Sequence, residues 1–210
     1  MKPSDYSKKE IKQRKSEPCW RVHNRVPYRS VPAEVLEWLL DPTSLTQRLQ
    51  DACRGQFSVQ LLEQGWARPM RNESLALGVR RWNYGLVRQV KLLCDDQPWV
   101  FARTVIPHST FSGKQRRLAH LGNKPLGAML FADNSMHRGE LEIAAIVPGQ
   151  RLFDLATSGL RNKPDMIWGR RSVFYLSGKP LLVSEIFLPG LTECNSLGHK
   201  KIQRQAGENN

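Results

Sequence analysis

Two long apolar hairpins constrain the fold of this chain more than any other feature. They span residues 86–107 and 168–189, and in each of them two β-rich runs are joined by turn residues. Each hairpin also carries one charge in an otherwise apolar strand, Arg88 in the first and Glu185 in the second. Such a charge lies either on a solvated face or in a buried site where it has a partner. We interpret the two hairpins as facing a common pocket.

The turn residues of the hairpins predict where each strand ends. In the first hairpin the predicted turn is the Asp-Asp-Gln-Pro run at residues 95–98. In the second it is Gly178-Lys179, where glycine can adopt the positive φ that tight turns require. Ser177 to Lys179 and Ser112 to Lys114 lack the earlier glycine and the strand-to-helix context of a phosphate loop, so we interpret neither as a phosphate site.

The remaining elements predict helices packed on an antiparallel sheet. Adjacent hairpins without regular strand–helix alternation indicate an α+β domain, here assigned to residues 19–190. Residues 1–18 are expected to be a disordered basic tail and residues 191–210 a flexible tail. Helices are predicted at 30–40 and from Ser44, with Leu45 and Leu49 on one face of the second, and a strand is predicted at 56–63, ended by Gln64-Gly65, with 66–70 as its partner. Residues 72–78 are predicted to be a helix or a loop. The elements that follow are a helix from Ser112 to Gly122, a helical turn at 124–131, a strand at 140–147, and a helical turn plus loop at 148–167.

The basic charge of the chain does not by itself identify a partner. The net charge is +13, but residues 1–30 hold nine Lys and Arg against three Asp and Glu, so +6 of it lies in a short terminal stretch. The body is only moderately basic and lacks interleaved aromatic and basic motifs. We therefore expect no specific nucleic-acid partner. No apolar run is long enough for a membrane span, and we expect a cytoplasmic monomer.

The cysteines and histidines predict neither a metal site nor a disulfide framework. The four cysteines are widely spaced and the five histidines show no metal-ligand spacing. Reduced, inert thiols are the expectation for a cytosolic protein. The cysteines are Cys19, Cys53, Cys94 and Cys194.

Three long motifs in the same order resemble chorismate pyruvate-lyase. They run from Trp99 to Thr110, from Leu121 to Phe131 and from Trp168 to Pro189, within a likeness that begins near Glu34. The resemblance implies a lyase that converts chorismate to 4-hydroxybenzoate and pyruvate, the first committed step of bacterial ubiquinone synthesis. It also implies that no metal or organic cofactor is needed, and that helical flaps close over a buried ligand pocket in an antiparallel sheet.

The resemblance assigns four substrate-binding residues by motif position. Arg88 falls where the family grips the ring carboxylate, and Glu185 falls where it meets the 4-hydroxyl; these two are the candidate catalytic residues. A backbone contact falls on Leu126. A flap contact falls on Leu45, where the family often has methionine. A guanidinium suits an aromatic carboxylate in an apolar pocket because it donates two parallel hydrogen bonds.

Other interpretations of the charged residues remain open from sequence alone. Arg88 is also consistent with a surface position on an alternating strand, and Leu45 and Leu126 with ordinary core positions. Arg103 is a reserve candidate for the enolpyruvyl carboxylate. Two further arginines either bind an anion or pair with a nearby acid, and we leave both out of the site. They are Arg170 and Arg171, with Glu140, Glu142 and Asp165 as the candidate partners.

A function of another class is a ligand-sensing module that binds a small aromatic acid without turning it over. The same sheet architecture resembles the effector domain of some bacterial transcription regulators, and a fold does not determine a function. A regulator would need a DNA-binding domain, and residues 1–30 are too short and irregular for a helix-turn-helix. Turnover of chorismate separates the two hypotheses.

Overall fold

An eight-stranded sheet dominates the fold, in a computed structural model that describes residues 16–192. Every pairing between its strands is antiparallel. The strands are β1 Arg21–Val22, β2 Phe57–Ala67, β3 Gly85–Cys94, β4 Gln97–Pro107, β5 Met136–Arg138, β6 Glu142–Ile146, β7 Ile167–Leu176 and β8 Lys179–Phe187. They are arranged in the order β1-β6-β7-β8-β4-β3-β2, and β5 also pairs with β7.

Helices cover both faces of this sheet, which confirms the predicted α+β class. The α-helices are α1 Ala33–Leu40, α2 Leu45–Ala52, α3 Arg71–Ala76, α4 Leu126–Phe131 and α5 Arg151–Ala156, and a 3-10 helix spans Gly113–His120. On one face α1 and α2 share a core with Val90 and Leu92, and α4 packs near Phe174 and Val183. On the other face α5 packs against Phe101 and Ile186.

Both predicted hairpins are present and lie side by side, because β4 pairs with β8. The first turn is shorter than predicted, and the second is displaced. Asp95 and Asp96 both have positive φ, as do Ser177 and Gly178, which suits two-residue hairpin turns. The predicted turn at 95–98 therefore extends two residues too far, because 97 and 98 already pair within β4. The second turn lies one residue earlier than predicted.

The predicted short hairpin at 56–70 is wrong. β2 continues from Phe57 to Ala67 and pairs along its length with β3, and Gly65 lies opposite Val87. A register irregularity between Leu61 and Glu63 lets β2 follow the twist of β3. The long partner strand keeps Gly65 in the ladder, so its local preference for a turn is overridden.

The helices at 30–40 and from Ser44 are confirmed, with differences at their first residues. α1 begins after Pro32 rather than at Ser30, and no side chain caps the start of α2. Leu45 and Leu49 are both buried on one face of α2, as predicted. The segment 72–78, left open as a helix or a loop, contains most of α3.

The expectation of four reduced cysteines is wrong for one pair. Cys53, just after α2, forms a disulfide with Cys94 at the end of β3, across a sequence separation of 41 residues. The spacing of the cysteines along the chain does not predict this contact. The antiparallel pairing of β2 with β3 places residue 57 opposite Cys94 and so brings Cys53 close to it. Cys19 is a free thiol, and Cys194 lies outside the described residues.

The chain ends are described only in part. Residues 1–15 and 193–210, which include most of both predicted tails, lie outside the described residues. The inner ends of both predicted tails lie within the described range. Glu17 accepts hydrogen bonds from the backbone amides of Arg71 and Asn72 at the start of α3, and Leu191 is buried. Between residues 16 and 192, no helix has the length and apolar character that crossing a membrane would require.

Candidate active site

A cavity lies between the sheet, α2 and α4, and it encloses about 620 Å³ of space with its mouth included. The structure brings all four predicted site residues to its wall: Leu45 from α2, Arg88 from β3, Leu126 from α4 and Glu185 from β8. The charged residues that line the cavity are Arg88, Arg138, Arg170 and Glu185.

The two-residue period of β3 aims Arg88 into this cavity. Arg88, Val90 and Leu92 line it, whereas Gln89 and Lys91 point to the opposite face of the sheet. The strand is buried on both faces, so its sequence shows no clear alternation of polar and apolar residues. Arg88 is only 2% exposed, and its interpretation as a surface residue is wrong.

Two hydrogen bonds hold the guanidinium of Arg88 in place, and one of its N–H donors has no partner in the described part of the chain. Its Nη2 donates to the carbonyl oxygens of Gly122 and Lys124, both at 2.9 Å. Its Nε is buried and has no hydrogen-bond partner among residues 16–192. Burial lowers the pKa of Arg88 from its ordinary value. A buried donor without an acceptor is costly, and a ligand carboxylate would remove that cost.

Glu185 is tied to Arg170, a residue that sequence reasoning left out of the site. Arg170 Nε donates to Glu185 Oε2 at 2.6 Å, and Arg170 is 1% exposed. Arg170 Nη1 also donates to the carbonyls of Trp38 and Asp41 at 2.8 and 2.5 Å. This arginine therefore links the carboxylate in the cavity to the end of α1. The chain continues from there into α2, which covers one side of the cavity.

The signal for the Arg170–Glu185 pair was present in the sequence. The two residues are cross-strand neighbours in the second hairpin, and counting outwards from a Ser177-Gly178 turn makes them opposite. The predicted turn lay one residue later, and that error displaces every pair in the hairpin by two residues. Of the two alternatives left open for Arg171, the structure shows the pairing with a nearby acid, because its Nε donates to Glu142 at 2.7 Å.

Arg103, the reserve candidate, does not reach the cavity. It lies on the opposite face of the sheet, where its Nε and Nη2 donate to the two carboxylate oxygens of Glu73 at 2.6 and 3.1 Å. Both side chains are buried. Arg103 pairs in register with Gln89 rather than Arg88, so the period of the strands directs it away from Arg88.

Arg138 lines the cavity and was not found from the sequence. Its Nε donates to Ser172 Oγ at 3.1 Å, and its Nη1 donates to the carbonyl of Pro42 at 3.2 Å. Its guanidinium lies over the ring of Phe174, 5.4 Å from the centroid. Burial and the charge of Arg170 lower the pKa of Arg138. It belongs to the three-residue strand β5, which is too short to produce a periodic pattern.

Asp41 stabilises the connection between α1 and α2 at the edge of the cavity. Its Oδ1 accepts hydrogen bonds from the amide and hydroxyl of Thr43 at 2.7 and 2.5 Å, and its Oδ2 accepts one from Arg48 at 2.7 Å. Partial burial acts to raise the pKa of Asp41. The Thr43 hydrogen bonds and the charges of Arg48 and Arg170 outweigh it and leave the pKa below its ordinary value of 3.8.

The cavity suits an anionic ligand. Its lining contains three arginines and one glutamate, a net of two positive charges. Low-dielectric walls strengthen the field of such charges. No cluster of three metal-ligating His, Cys, Asp or Glu side chains occurs in residues 16–192.

Comparison with known proteins gave consistent matches over most of the chain. The sequence model of the chorismate lyase family matches residues 16–194. A probable chorismate pyruvate-lyase from Methylococcus capsulatus is 41% identical over 154 residues, which cover 73% of this chain and 94% of that protein. Another from Aromatoleum aromaticum is 40% identical over 171 residues, covering 80% and 92%.

Solved structures of similar fold are transcriptional regulators of the GntR family. One from Enterococcus faecalis V583 has a TM-score of 0.45 and 18% identity, covering 64% of this chain and 91% of that chain. One from Bacillus cereus has a TM-score of 0.48 and 12% identity, covering 65% and 94%. These scores mark a distant likeness and carry no argument about function.

Proposed function

Because the chain belongs to the chorismate lyase family, we propose that it removes pyruvate from chorismate and releases 4-hydroxybenzoate. One observation supports this most directly. Arg88 and Glu185, chosen by motif resemblance from separate hairpins, line the same cavity. The two excess positive charges of that cavity match the two carboxylates of chorismate.

Arg88 holds the ring carboxylate in this proposal. Its Nε lacks a partner among residues 16–192, and its Nη2 is fixed by two backbone carbonyls, so the group is oriented before the ligand arrives. Charge-assisted hydrogen bonds from such a preorganised guanidinium are strong and directional. Leu45 and Leu126 complete the binding site from the flap side, from α2 and α4.

Glu185 meets the 4-hydroxyl at the other end of the ring. In the reaction the ether bond at ring carbon C3 breaks and the C4 hydrogen is lost. The electrons of the C4–H bond form the double bond that completes the aromatic ring, and the electrons of the ether bond leave with the oxygen. The enolpyruvate released in this way becomes pyruvate once its methylene carbon has gained a proton. Aromatisation supplies much of the driving force. The protein therefore needs mainly to orient the fragment and stabilise the charge on the departing oxygen.

Two routes for the C4 proton are consistent with this arrangement. In one, Glu185 acts as a base and passes the proton on. In the other, the hydrogen moves within the substrate to the enolpyruvyl methylene carbon. The position of Glu185 beside Arg170, at 2.6 Å, allows it to fix the 4-hydroxyl in either route.

The proposal extends to the context of the reaction. The product, 4-hydroxybenzoate, would enter ubiquinone synthesis as the first committed intermediate, and the protein would act as a cytoplasmic monomer. Neither a metal nor an organic cofactor enters the proposed steps.

The test is to mix the purified protein with chorismate and follow 4-hydroxybenzoate by absorbance, with pyruvate assayed in parallel. The expected result is protein-dependent formation of both products in equal amounts. A buffer control is needed because chorismate decays spontaneously. If neither product forms but 4-hydroxybenzoate still binds, the lyase proposal is wrong and the protein is a ligand-sensing module.

A further inference from the structure

We propose that Arg138 binds the enolpyruvyl carboxylate of chorismate and forms a second anion subsite in the cavity. The inference rests on the proposed function and goes beyond it, because it assigns a residue that separates substrate from product. 4-Hydroxybenzoate has the ring carboxylate but has lost the enolpyruvyl one. A residue that holds only the second carboxylate contributes to the affinity for chorismate and not to the affinity for the product.

The pairing of charges within the cavity carries the argument. Of its three arginines, Arg170 is already paired with Glu185 at 2.6 Å. Arg88 and Arg138 have no carboxylate within ion-pair distance in the described part of the chain, and they donate hydrogen bonds to carbonyl and hydroxyl oxygens. The charges of Glu185 and Asp41 act on Arg138 without forming a direct ion pair with it. Two guanidiniums without a directly paired carboxylate therefore face a substrate with two carboxylates, and each can bind one of them.

The sheet also separates the two guanidiniums in a useful way. Arg88 is on β3, whereas Arg138 is hydrogen-bonded to Ser172 on β7, and β4 and β8 lie between these strands. Three strand spacings separate the two backbones by about 14 Å, and the side chains of Arg88 and Arg138 line the same cavity. Glu185, on β8, stands between them.

This order matches the order of groups on the substrate. With the ring carboxylate at Arg88, the 4-hydroxyl points towards Glu185, and the neighbouring enolpyruvyl group extends beyond it towards β7 and β5. The side chain of Arg138 is oriented for that contact. Two of its nitrogens donate to Ser172 Oγ and to the Pro42 carbonyl, and its guanidinium lies over the Phe174 ring.

The test compares the wild-type protein with Arg138→Gln in two measurements, steady-state turnover of chorismate and equilibrium binding of 4-hydroxybenzoate. We expect kcat/KM to fall about 30-fold, as for the loss of a hydrogen bond between charged groups. We expect the Kd of 4-hydroxybenzoate to change less than about threefold, because the product lacks the second carboxylate. Arg138→Lys should recover part of the loss, since it keeps the charge.

A matched control removes the same charge elsewhere. Arg151→Gln changes an exposed arginine of α5 on the opposite face of the sheet, and it should leave both measurements unchanged at fixed ionic strength. If Arg138→Gln weakens chorismate turnover and product binding equally, Arg138 only supports the flap through Pro42 and the proposal is wrong. Unchanged kcat/KM would also overturn it.

The wild-type measurement distinguishes this proposal from the one on which it rests. If the wild-type protein forms no 4-hydroxybenzoate, the proposed lyase function fails and the subsite proposal falls with it. If the wild-type protein turns over chorismate and Arg138→Gln does so equally well, the lyase function stands and only the subsite is refuted.

Discussion

The two faces of the sheet differ in whether every buried arginine has a carboxylate partner. On the face away from the cavity, Arg103 is paired with Glu73 and Arg171 with Glu142, at 2.6 and 2.7 Å. On the cavity face Arg170 is paired with Glu185 at 2.6 Å, but Arg88 has no carboxylate partner among residues 16–192, although it is 2% exposed. Chemically similar residues on neighbouring strands therefore meet different electrostatic environments.

The difference indicates which charges are structural and which serve a ligand. A buried ion pair roughly compensates its own desolvation, whereas an unpaired buried charge lowers stability. Exceptions to good local pairing are expected mainly at functional sites. On the opposite face, both arginines also contact α3. Arg103 donates to Glu73, and Arg171 donates to Asn72. On the cavity face, we expect the substrate carboxylate to be the partner that Arg88 lacks.

The same substitution on the two faces should give the largest contrast in stability. Arg103→Met leaves the carboxylate of Glu73 buried without its partner, and it should lower the free energy of unfolding by about 3–5 kcal/mol. Arg88→Met removes a desolvated charge and replaces it with an apolar chain of similar length. Its stability should remain within about 1 kcal/mol of wild type. Urea unfolding of both variants measures the difference.

The double variant Arg103→Met/Glu73→Met serves as the control for this prediction. It removes both charges, so most of the lost stability should return. Equal destabilisation by Arg103→Met and Arg88→Met would mean that the two faces treat their arginines alike.

Glu185→Gln should reduce chorismate turnover about 100-fold, the typical scale for loss of a positioned acid–base group. The amide oxygen still accepts from Arg170 Nε, so the melting temperature should stay close to wild type. Glu142→Gln is the matched control, because it removes a carboxylate from the equivalent pair on the other face. The two side chains have similar exposure, 20% and 27%. Near-normal turnover of Glu185→Gln would leave that residue a structural role only.

Asp41→Asn should have the smallest effect, about 1 kcal/mol at pH 7, since its pair with Arg48 is partly exposed. The pKa of Asp41 lies below its ordinary value of 3.8 in the folded protein. The stabilising effect of its ionised form is therefore fully present above that pH, and it is lost as the pH falls through the folded-state pKa. Unfolding measured at pH 7 and near pH 3 should show the variant and the wild type converging. A constant difference would contradict this assignment.

The sequence predicted the long, strongly patterned elements and missed the two shortest strands, β1 and β5. Both hairpins and the α1–α2 pair were found because their apolar runs are long enough to show a period. β5 has three residues and no detectable pattern, so Arg138 could not be placed. Gly65 was assigned to a turn on its local preference, but its long partner strand keeps it in the sheet.

Site prediction depended on register more than on residue type. Arg170 was left outside the predicted site because other acids were equally good candidate partners. Its cross-strand position opposite Glu185 is evident only when the turn is placed at Ser177-Gly178. Arg103 was a reasonable candidate by charge alone, yet the alternation of β4 turns it to the other face. The motif resemblance supplied Arg88, Glu185 and Leu126, and no periodicity could have separated Leu126 from an ordinary core residue.

The most direct test of the contrast between the two faces is the affinity of 4-hydroxybenzoate for Arg88→Met and for Arg103→Met/Glu73→Met, measured by titration calorimetry beside the wild type. We expect Arg88→Met to bind at least about 100-fold more weakly, because the ring carboxylate loses its charged donor, while the double variant binds as the wild type does. Equal affinity of Arg88→Met and wild type would contradict the account and remove Arg88 from the site.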